Sequence, residues 1–252
     1  MAQISDIIAT LDELLSPAEF DDLGPNGLQV PGAPEVTHVV TGVSATRALH
    51  EQAIELRAQL VLVHHGLFWN FHPTGLTPLL AERLRPLFKH DVNLAAYHLP
   101  LDAHPELGNN ALLAAALGAT DRAPFGTYKG RAIGCKATFG AALTPDDLRA
   151  RVHEATGREP LLLGDGPPAI RTVGIVSGSA ADTLREAADA GLDAFLTGEP
   201  REHITAEATE LSTWFVAAGH HATETFGVRA LGDLLAQRFG IEHTFVDVPN
   251  PV

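Results

Sequence analysis

The chain has 252 residues, which is enough to bury a core as one large α/β domain or as two similar halves. Its 17 basic and 31 acidic residues give a net charge of −14 without any lysine or arginine cluster, so we exclude nucleic acid as a partner. The single cysteine, Cys135, excludes an intramolecular disulfide and favours a cytoplasmic location. The N-terminal segment is an amphipathic helical pattern interrupted by acidic residues, and no apolar run approaches the roughly 20 residues of a membrane span. We therefore expect neither a signal peptide nor a membrane partner.

Strand-like runs alternate with helical patterns along most of the chain, which predicts βαβ units and mainly parallel sheets. Threonine-proline pairs mark helix starts and glycines mark helix ends. The first part shows, in chain order, a strand over 36–43, a helix over 44–58, a strand over 60–65, a helix after Thr77-Pro78 and a strand over 92–98.

The second part of the chain repeats the first at an offset of 134 residues, because 37–66 aligns with 171–199. Each copy shows a strand, a turn of small residues, a helix and a strand, followed by another helix and a strand that ends in histidine. This repeat predicts two similar α/β halves that face each other. We place the first half at 1–120, a connector without obvious chemistry at 121–168, and the second half at 169–252.

Two histidines, His64 and His65, follow an apolar strand and precede Gly66. Ligands of open α/β sheets bind at this carboxyl end of the strands, so the pair is a candidate metal site. Taken alone, the pair is equally consistent with one buried and one exposed histidine at a turn.

Asp102 follows the next predicted strand, and its carboxylate can bridge two ions because each oxygen offers lone pairs. His98, four residues earlier, is a candidate further ligand or a partner of the ligands. An aspartate before Pro105 and Gly108 is, by itself, more typical of a turn or a helix cap.

His220 and Glu224 stand at positions i and i+4, so both side chains share one face if a helix begins here. His221 is turned about 100° away on such a helix and is expected to support the site without binding metal. Taken alone, the pair could also be an incidental charged pair at the start of a helix.

Together these motifs supply three imidazoles and two carboxylates, which suits two ions better than one structural zinc. Nitrogen and oxygen donors favour two divalent ions among Zn, Mn, Fe, Co and Ni, and leave the choice of metal open.

Five ordered motifs resemble the GTP cyclohydrolase 1 type 2 family, also called the Nif-three-like dinuclear-metal proteins, in its short form without an inserted domain. They are HHGLFW (64–69), AAYHLPLDAHPELGNNALLAAALG (95–118), DAFLTGE (193–199), AAGHHATETFGVRAL (217–231) and VDVPNPV (246–252). The resemblance implies two α/β halves with a dinuclear site between them and a homohexameric assembly. The ligands that it implies agree with those chosen from the motifs: His64, His65, Asp102, His220 and Glu224.

The activity that the resemblance implies is hydrolysis of GTP to formate and 7,8-dihydroneopterin triphosphate with metal-activated water. For the proton transfers we select His98 and Glu199. Two alternatives stay open, because the ligands specify activated water and not the bond that it attacks. One is a metal-dependent phosphoester or amide hydrolase, and the other is a non-catalytic metal-binding regulatory scaffold.

Overall fold

The computed structural model describes residues 1–252, and the chain alternates strands and helices throughout. The strands are β1 (Ala2–Gln3), β2 (Gly27–Val30), β3 (Glu35–Val36), β4 (His38–Ser44), β5 (Leu60–His65), β6 (Asn93–Ala96), β7 (Ala119–Tyr128), β8 (Arg131–Leu143), β9 (Leu161–Leu163), β10 (Ile170–Ile175), β11 (Ala194–Thr197), β12 (Trp214–Ala217) and β13 (Glu242–Phe245). The α-helices are α1 (Ile4–Leu15), α2 (Arg47–Glu55), α3 (Pro78–Lys89), α4 (Leu99–Ala103), α5 (Asn109–Ala116), α6 (Pro145–Thr156), α7 (Leu184–Asp189), α8 (Ile204–Glu210), α9 (His220–Thr223) and α10 (Thr225–Phe239). Two short 3₁₀ helices cover Pro17–Glu19 and Ala181–Thr183. None of the helices has the length and the apolar run that a bilayer crossing requires.

The chain forms two compact units, each with its own main sheet. The first unit contains residues 1–101 and 227–249, and the second contains 102–226 and 250–252. This division differs from the three parts expected from the sequence. Strands of the expected connector, 121–168, belong to the sheet of the second unit, whereas the C-terminal helix and strand return to the first.

The first unit is built on a five-stranded sheet in the order β13-β4-β5-β6-β2. Its pairs are parallel except for β2, which runs antiparallel to β6. The central strands read as nearly continuous apolar runs because both faces of a parallel sheet are covered. Val40, Val61 and Leu94 lie on neighbouring strands and are fully buried in one core with the helices that cover the sheet.

The second unit repeats the central part of the first. Strands β10, β11 and β12 are parallel neighbours, as β4, β5 and β6 are, with helices in the connections. The six-stranded sheet is extended by antiparallel pairing of β8 with β7 and β10, and of β9 with β12. The expected α/β fold of two similar halves is therefore confirmed, with a mainly parallel sheet in one unit and a mixed sheet in the other.

The threonines and glycines that mark helix ends in the sequence form helix caps in the structure. The Thr77 hydroxyl accepts a hydrogen bond from the backbone N–H of Leu80 at 3.2 Å, and Thr144 forms a reciprocal capping box with Asp147. Gly157 ends helix α6 with a φ of 70°, a left-handed conformation that glycine adopts without a Cβ penalty. These local signals explain why the helix starts were readable from sequence.

Helix α2 carries a titratable side chain into the core of the first unit. His50 is fully buried, and its Nδ1–H donates to the carbonyl oxygen of Arg83 at 3.0 Å, while its buried Nε2 has no hydrogen-bond partner. Burial lowers the pKa of His50 to about 4 because it disfavours the charged ring, although the bond to the Arg83 carbonyl opposes this shift. The folded protein therefore holds His50 neutral at pH 5, where an unfolded chain protonates it.

We expect His50 to make the folded state less stable as the pH falls. An unfolded histidine has a pKa of about 6.5, so between pH 6.5 and 4 the unfolded state binds the extra proton and gains stability. The wild type should lose about 2 kcal/mol of unfolding free energy from this group between pH 7 and pH 5. His50→Asn keeps an N–H donor for the Arg83 carbonyl and does not titrate, so this loss should disappear. Urea unfolding of both proteins at the two pH values, with chelator present, measures the difference, and equal pH dependence would contradict the prediction.

Candidate metal centre

Three histidines meet at the carboxyl ends of two neighbouring parallel strands in the first unit. His64 and His65 are the last residues of β5, as predicted, and His98 follows β6 after one intervening residue. The ring centroids of His64 lie 4.8 Å from His65 and 4.9 Å from His98. One ring nitrogen of each lies within 4.8 Å of one from each of the others, so the three could hold one ion. Parallel pairing of β5 with β6 is what brings side chains more than 30 residues apart into this cluster.

Each of these rings is oriented by a hydrogen bond at Nδ1. His64 is fully buried, and its Nδ1–H donates to the carbonyl oxygen of Tyr97 at 3.0 Å, which leaves the lone pair of the neutral ring on Nε2. Nδ1 of His65 lies 3.0 Å from Oγ of Ser44. Metal-binding histidines typically fix their second nitrogen in this way, which orients the ring and sets its tautomer.

An aspartate that the sequence analysis missed holds His98. Oδ1 of Asp22 accepts from His98 Nδ1 at 2.7 Å and from the Leu23 backbone at 2.6 Å, while Oδ2 accepts from the side chain of Asn26 at 2.9 Å. Burial acts to raise the pKa of Asp22, but the bonds from His98, Asn26 and Leu23 outweigh it and lower the pKa below its usual value. Asp22 is therefore ionised, and its bond to Nδ1 fixes the orientation of the His98 ring. The turn-rich segment DDLGPNG (21–27) was the only sequence signal for it.

The second unit brings a histidine and two carboxylates together. Helix α9 begins at His220. Nε2 of His220 lies 3.2 Å from Oε1 of Glu224, which confirms the shared face expected from the i, i+4 spacing. Nδ1 of His220 contacts the carboxylate of Glu199. Burial would lower the pKa of His220, but Glu224 and Glu199 outweigh it and raise the pKa to about 9. Two carboxylates therefore face one imidazole, and their negative charge favours a positively charged group between them, either the protonated ring or a metal ion.

A glycine leaves room for these donors. Gly178 has a φ of +69°, and an added Cβ would lie 2.4 Å from Oε1 of Glu224 and 3.1 Å from Nε2 of His220. Its carbonyl oxygen accepts the backbone N–H groups of Gly198 and Glu199 at 2.8 and 3.1 Å. Any other residue here would fill the space beside the donors and strain the backbone. No motif in the sequence marks this position.

Asp102 is buried in helix α4 and belongs to a polar network in the second unit. Its Oδ1 accepts from the side chains of Asn109 at 2.8 Å and Ser177 at 3.1 Å. The backbone N–H of Ser177 donates to the side chain of Asn110 at 2.7 Å. Ser177 precedes Gly178, so one loop contacts Asp102 through its first residue and lies against the His220 and Glu224 side chains through its second.

The donors match what divalent transition metals bind. Neutral imidazole nitrogens and carboxylate oxygens suit Zn, Mn, Fe, Co and Ni, and each histidine named above has a partner that fixes its other nitrogen. The first unit supplies a three-histidine cluster, while the second supplies a histidine–carboxylate pair and a fixed aspartate. The protein is therefore a mixed α/β protein of two units, and its histidine and carboxylate side chains are of the types that could bind metal.

Comparison with known proteins identifies the family of this chain. The chain belongs to the Duf34/NIF3 (NGG1p interacting factor 3) family, whose profile matches residues 2–251. A relative from Pseudomonas aeruginosa, named GTP cyclohydrolase 1 type 2 homolog, is 44% identical over 248 residues and covers 98% of each chain. The resemblance drawn from the five sequence motifs is thereby confirmed.

Solved structures agree with this assignment. The chain resembles protein ybgI, described as of unknown function, with a TM-score of 0.94 and 39% identity over the whole of both chains. It resembles TTHA1606 from Thermus thermophilus with a TM-score of 0.92 and 35% identity, again over the whole of both chains. These likenesses confirm the fold and the family.

Proposed function

We propose that this protein is a metal-dependent hydrolase that binds two divalent ions through five side chains. The ligands that we propose are His64, His65, Asp102, His220 and Glu224. The observation that carries the proposal is the three-histidine cluster at the strand ends, because each ring has its Nδ1 bonded to another group. Support from the second unit comes from the 3.2 Å approach of His220 Nε2 to the Glu224 carboxylate.

The reaction that we propose is hydrolysis of both C8–N bonds in the imidazole ring of GTP, which releases C8 as formate. Rearrangement of the ribose and ring closure then give 7,8-dihydroneopterin triphosphate. This reaction is supported by the name of the relative that is 44% identical over almost the whole chain. A divalent ion supplies a Lewis acid that polarises the substrate and lowers the pKa of water towards neutrality. The side chains of this protein must then hold the ligands in place and move protons.

His98 is our candidate for the proton transfers. Asp22 accepts from its Nδ1, so Nε2 can take a proton from the attacking water and return it to the ring nitrogen that leaves C8. The ionised aspartate stabilises the imidazolium that forms in between. Glu199, our second candidate, contacts Nδ1 of His220, and we propose that it holds that ring towards the metal.

Formate release from GTP tests the proposal directly. Protein loaded with Mn or Zn should release formate and give a product with pterin fluorescence, whereas chelator-treated protein should not. His64→Gln, checked for folding by circular dichroism, should lose the activity because it removes a proposed ligand. Phosphoesters and amides assayed beside GTP would reveal a hydrolase with a different substrate. If the metal-loaded protein is inactive on every substrate, the hydrolase proposal fails and the non-catalytic regulatory scaffold is the alternative that remains.

We place this activity in the cytoplasm with a small molecule as its substrate. The only cysteine, Cys135, is buried with its Sγ–H donating to the carbonyl oxygen of Asn110, and burial raises the pKa of the thiol to about 11. Such a thiol is unreactive. We also propose a homohexamer, which rests on the family resemblance alone.

A further inference from the structure

Two aromatic side chains stand beside the histidine cluster of the first unit. The rings of Trp69 and Phe71 are stacked, with centroids 5.6 Å apart and planes 20° from parallel. The Phe71 side chain is 64% exposed, which is unusual for a large apolar ring. The exposed Phe71 ring therefore extends the aromatic surface of the half-buried Trp69 ring to solvent.

Trp69 connects this surface to the histidines. Its ring centroid lies 5.9 Å from that of His65 and 5.1 Å from that of His98, which it meets edge to face at 89°. Its indole N–H donates to the carbonyl oxygen of Gly66 at 3.1 Å, so the ring is held in place. The backbone N–H of Asn70 donates to the Leu23 carbonyl at 2.8 Å, which anchors the segment that carries both rings.

Space for a ligand lies next to Trp69. A cavity of about 350 Å³ is lined by Phe68, Trp69 and Asn70 together with residues 22–25. That volume lies within the range of small-molecule sites. Asp22, the carboxylate that holds His98, is one of the lining residues.

We infer that Trp69 and Phe71 are a stacking platform that binds the planar heterocyclic ring of the substrate beside the histidines. A planar heterocycle presents a π-face, which stacks on aromatic side chains, and polar edge atoms, which the neighbouring imidazoles can meet. An aliphatic substrate could bury apolar area on these rings but would not gain the stacking interaction of two π-systems. The inference rests on the proposed function in that it takes the ring of a purine nucleoside as the stacked group.

Fluorescence of Trp69 tests the platform, because the chain has only two tryptophans. In Trp214→Phe protein, Trp69 is the only indole, and guanosine should quench its emission saturably whereas inorganic tripolyphosphate, which has no ring, should not. In the matched Trp69→Phe protein, the emission of Trp214 should not respond. Phe71→Leu in the Trp214→Phe background should raise the Kd for guanosine at least about fivefold, and Phe71→Tyr should restore it.

The outcomes separate the platform from the reaction. Absence of quenching by guanosine, or an unchanged Kd in Phe71→Leu, would overturn the platform. If guanosine binds in a Phe71-dependent way but metal-loaded protein releases no formate from GTP, the platform stands and the proposed reaction fails. If Phe71→Leu releases formate with an unchanged KM for GTP, the reaction stands and the platform fails.

Discussion

His220→Ala is expected to remove at least one bound ion per chain and to abolish hydrolysis, whereas His221→Ala should keep both ions. His220 points its Nε2 at Glu224 and its Nδ1 at Glu199, so alanine removes a proposed metal ligand. His221 is the second residue of the same helical turn, so its side chain is turned about 100° away. Its backbone N–H donates to the carbonyl oxygen of Val252 at 3.0 Å, a contact that alanine retains.

Elemental analysis after gel filtration, together with formate release, measures both effects. Loss of a residue that only supports a ligand typically costs about 10- to 100-fold in affinity or activity, so His221→Ala should retain measurable turnover. If His221→Ala emptied the site while His220→Ala did not, the assignment of ligand and neighbour would be reversed.

Asp102→Asn is expected to lower the metal content from two ions per chain to one at most. Asparagine has nearly the same shape and its amide oxygen can still accept from Asn109 and Ser177. It lacks the charge and the second anionic oxygen that a bridge between two ions requires. Because the substitution preserves volume and the hydrogen bonds at Oδ1, its effect should fall on metal binding more than on folding.

Asp189→Asn is the matched control, since that carboxylate is exposed at the end of helix α7. It should bind as much metal as the wild type in the same elemental analysis. Two ions per chain in Asp102→Asn protein would exclude Asp102 as a bridging ligand.

The position of the histidines at the strand end could be predicted because its signals are local. Buried parallel strands read as apolar runs, so the histidines that end Leu60–His65 were recognisable as strand-end residues. The helical period alone placed His220 and Glu224 on one face. The offset repeat revealed two related halves because each copy carries its own strand, helix and strand in sequence order.

Contacts between distant segments could not be predicted in the same way. Asp22 lies 76 residues before His98, and its own surroundings look like an ordinary turn. Strand β13 pairs with β4, and strands of the expected connector add antiparallel pairs to the other sheet. Both pairings depend on which sheet edge is open, and a single sequence does not encode this locally. Gly178 has its role only through side chains that approach it from elsewhere.

The split composition of the first unit has a consequence for its synthesis on the ribosome. Strand β4 emerges early, but its parallel partner β13 lies about 200 residues later. The N–H and C=O groups on that edge of β4 are therefore left without their neighbour during most of translation. Val246, which packs into the same core, arrives equally late. Contacts of such sequence separation form slowly and leave strand edges open to aggregation. A fragment that stops at residue 101 would keep that edge open permanently. We therefore expect this fragment to be insoluble when it is expressed alone, which sedimentation of the cell lysate measures.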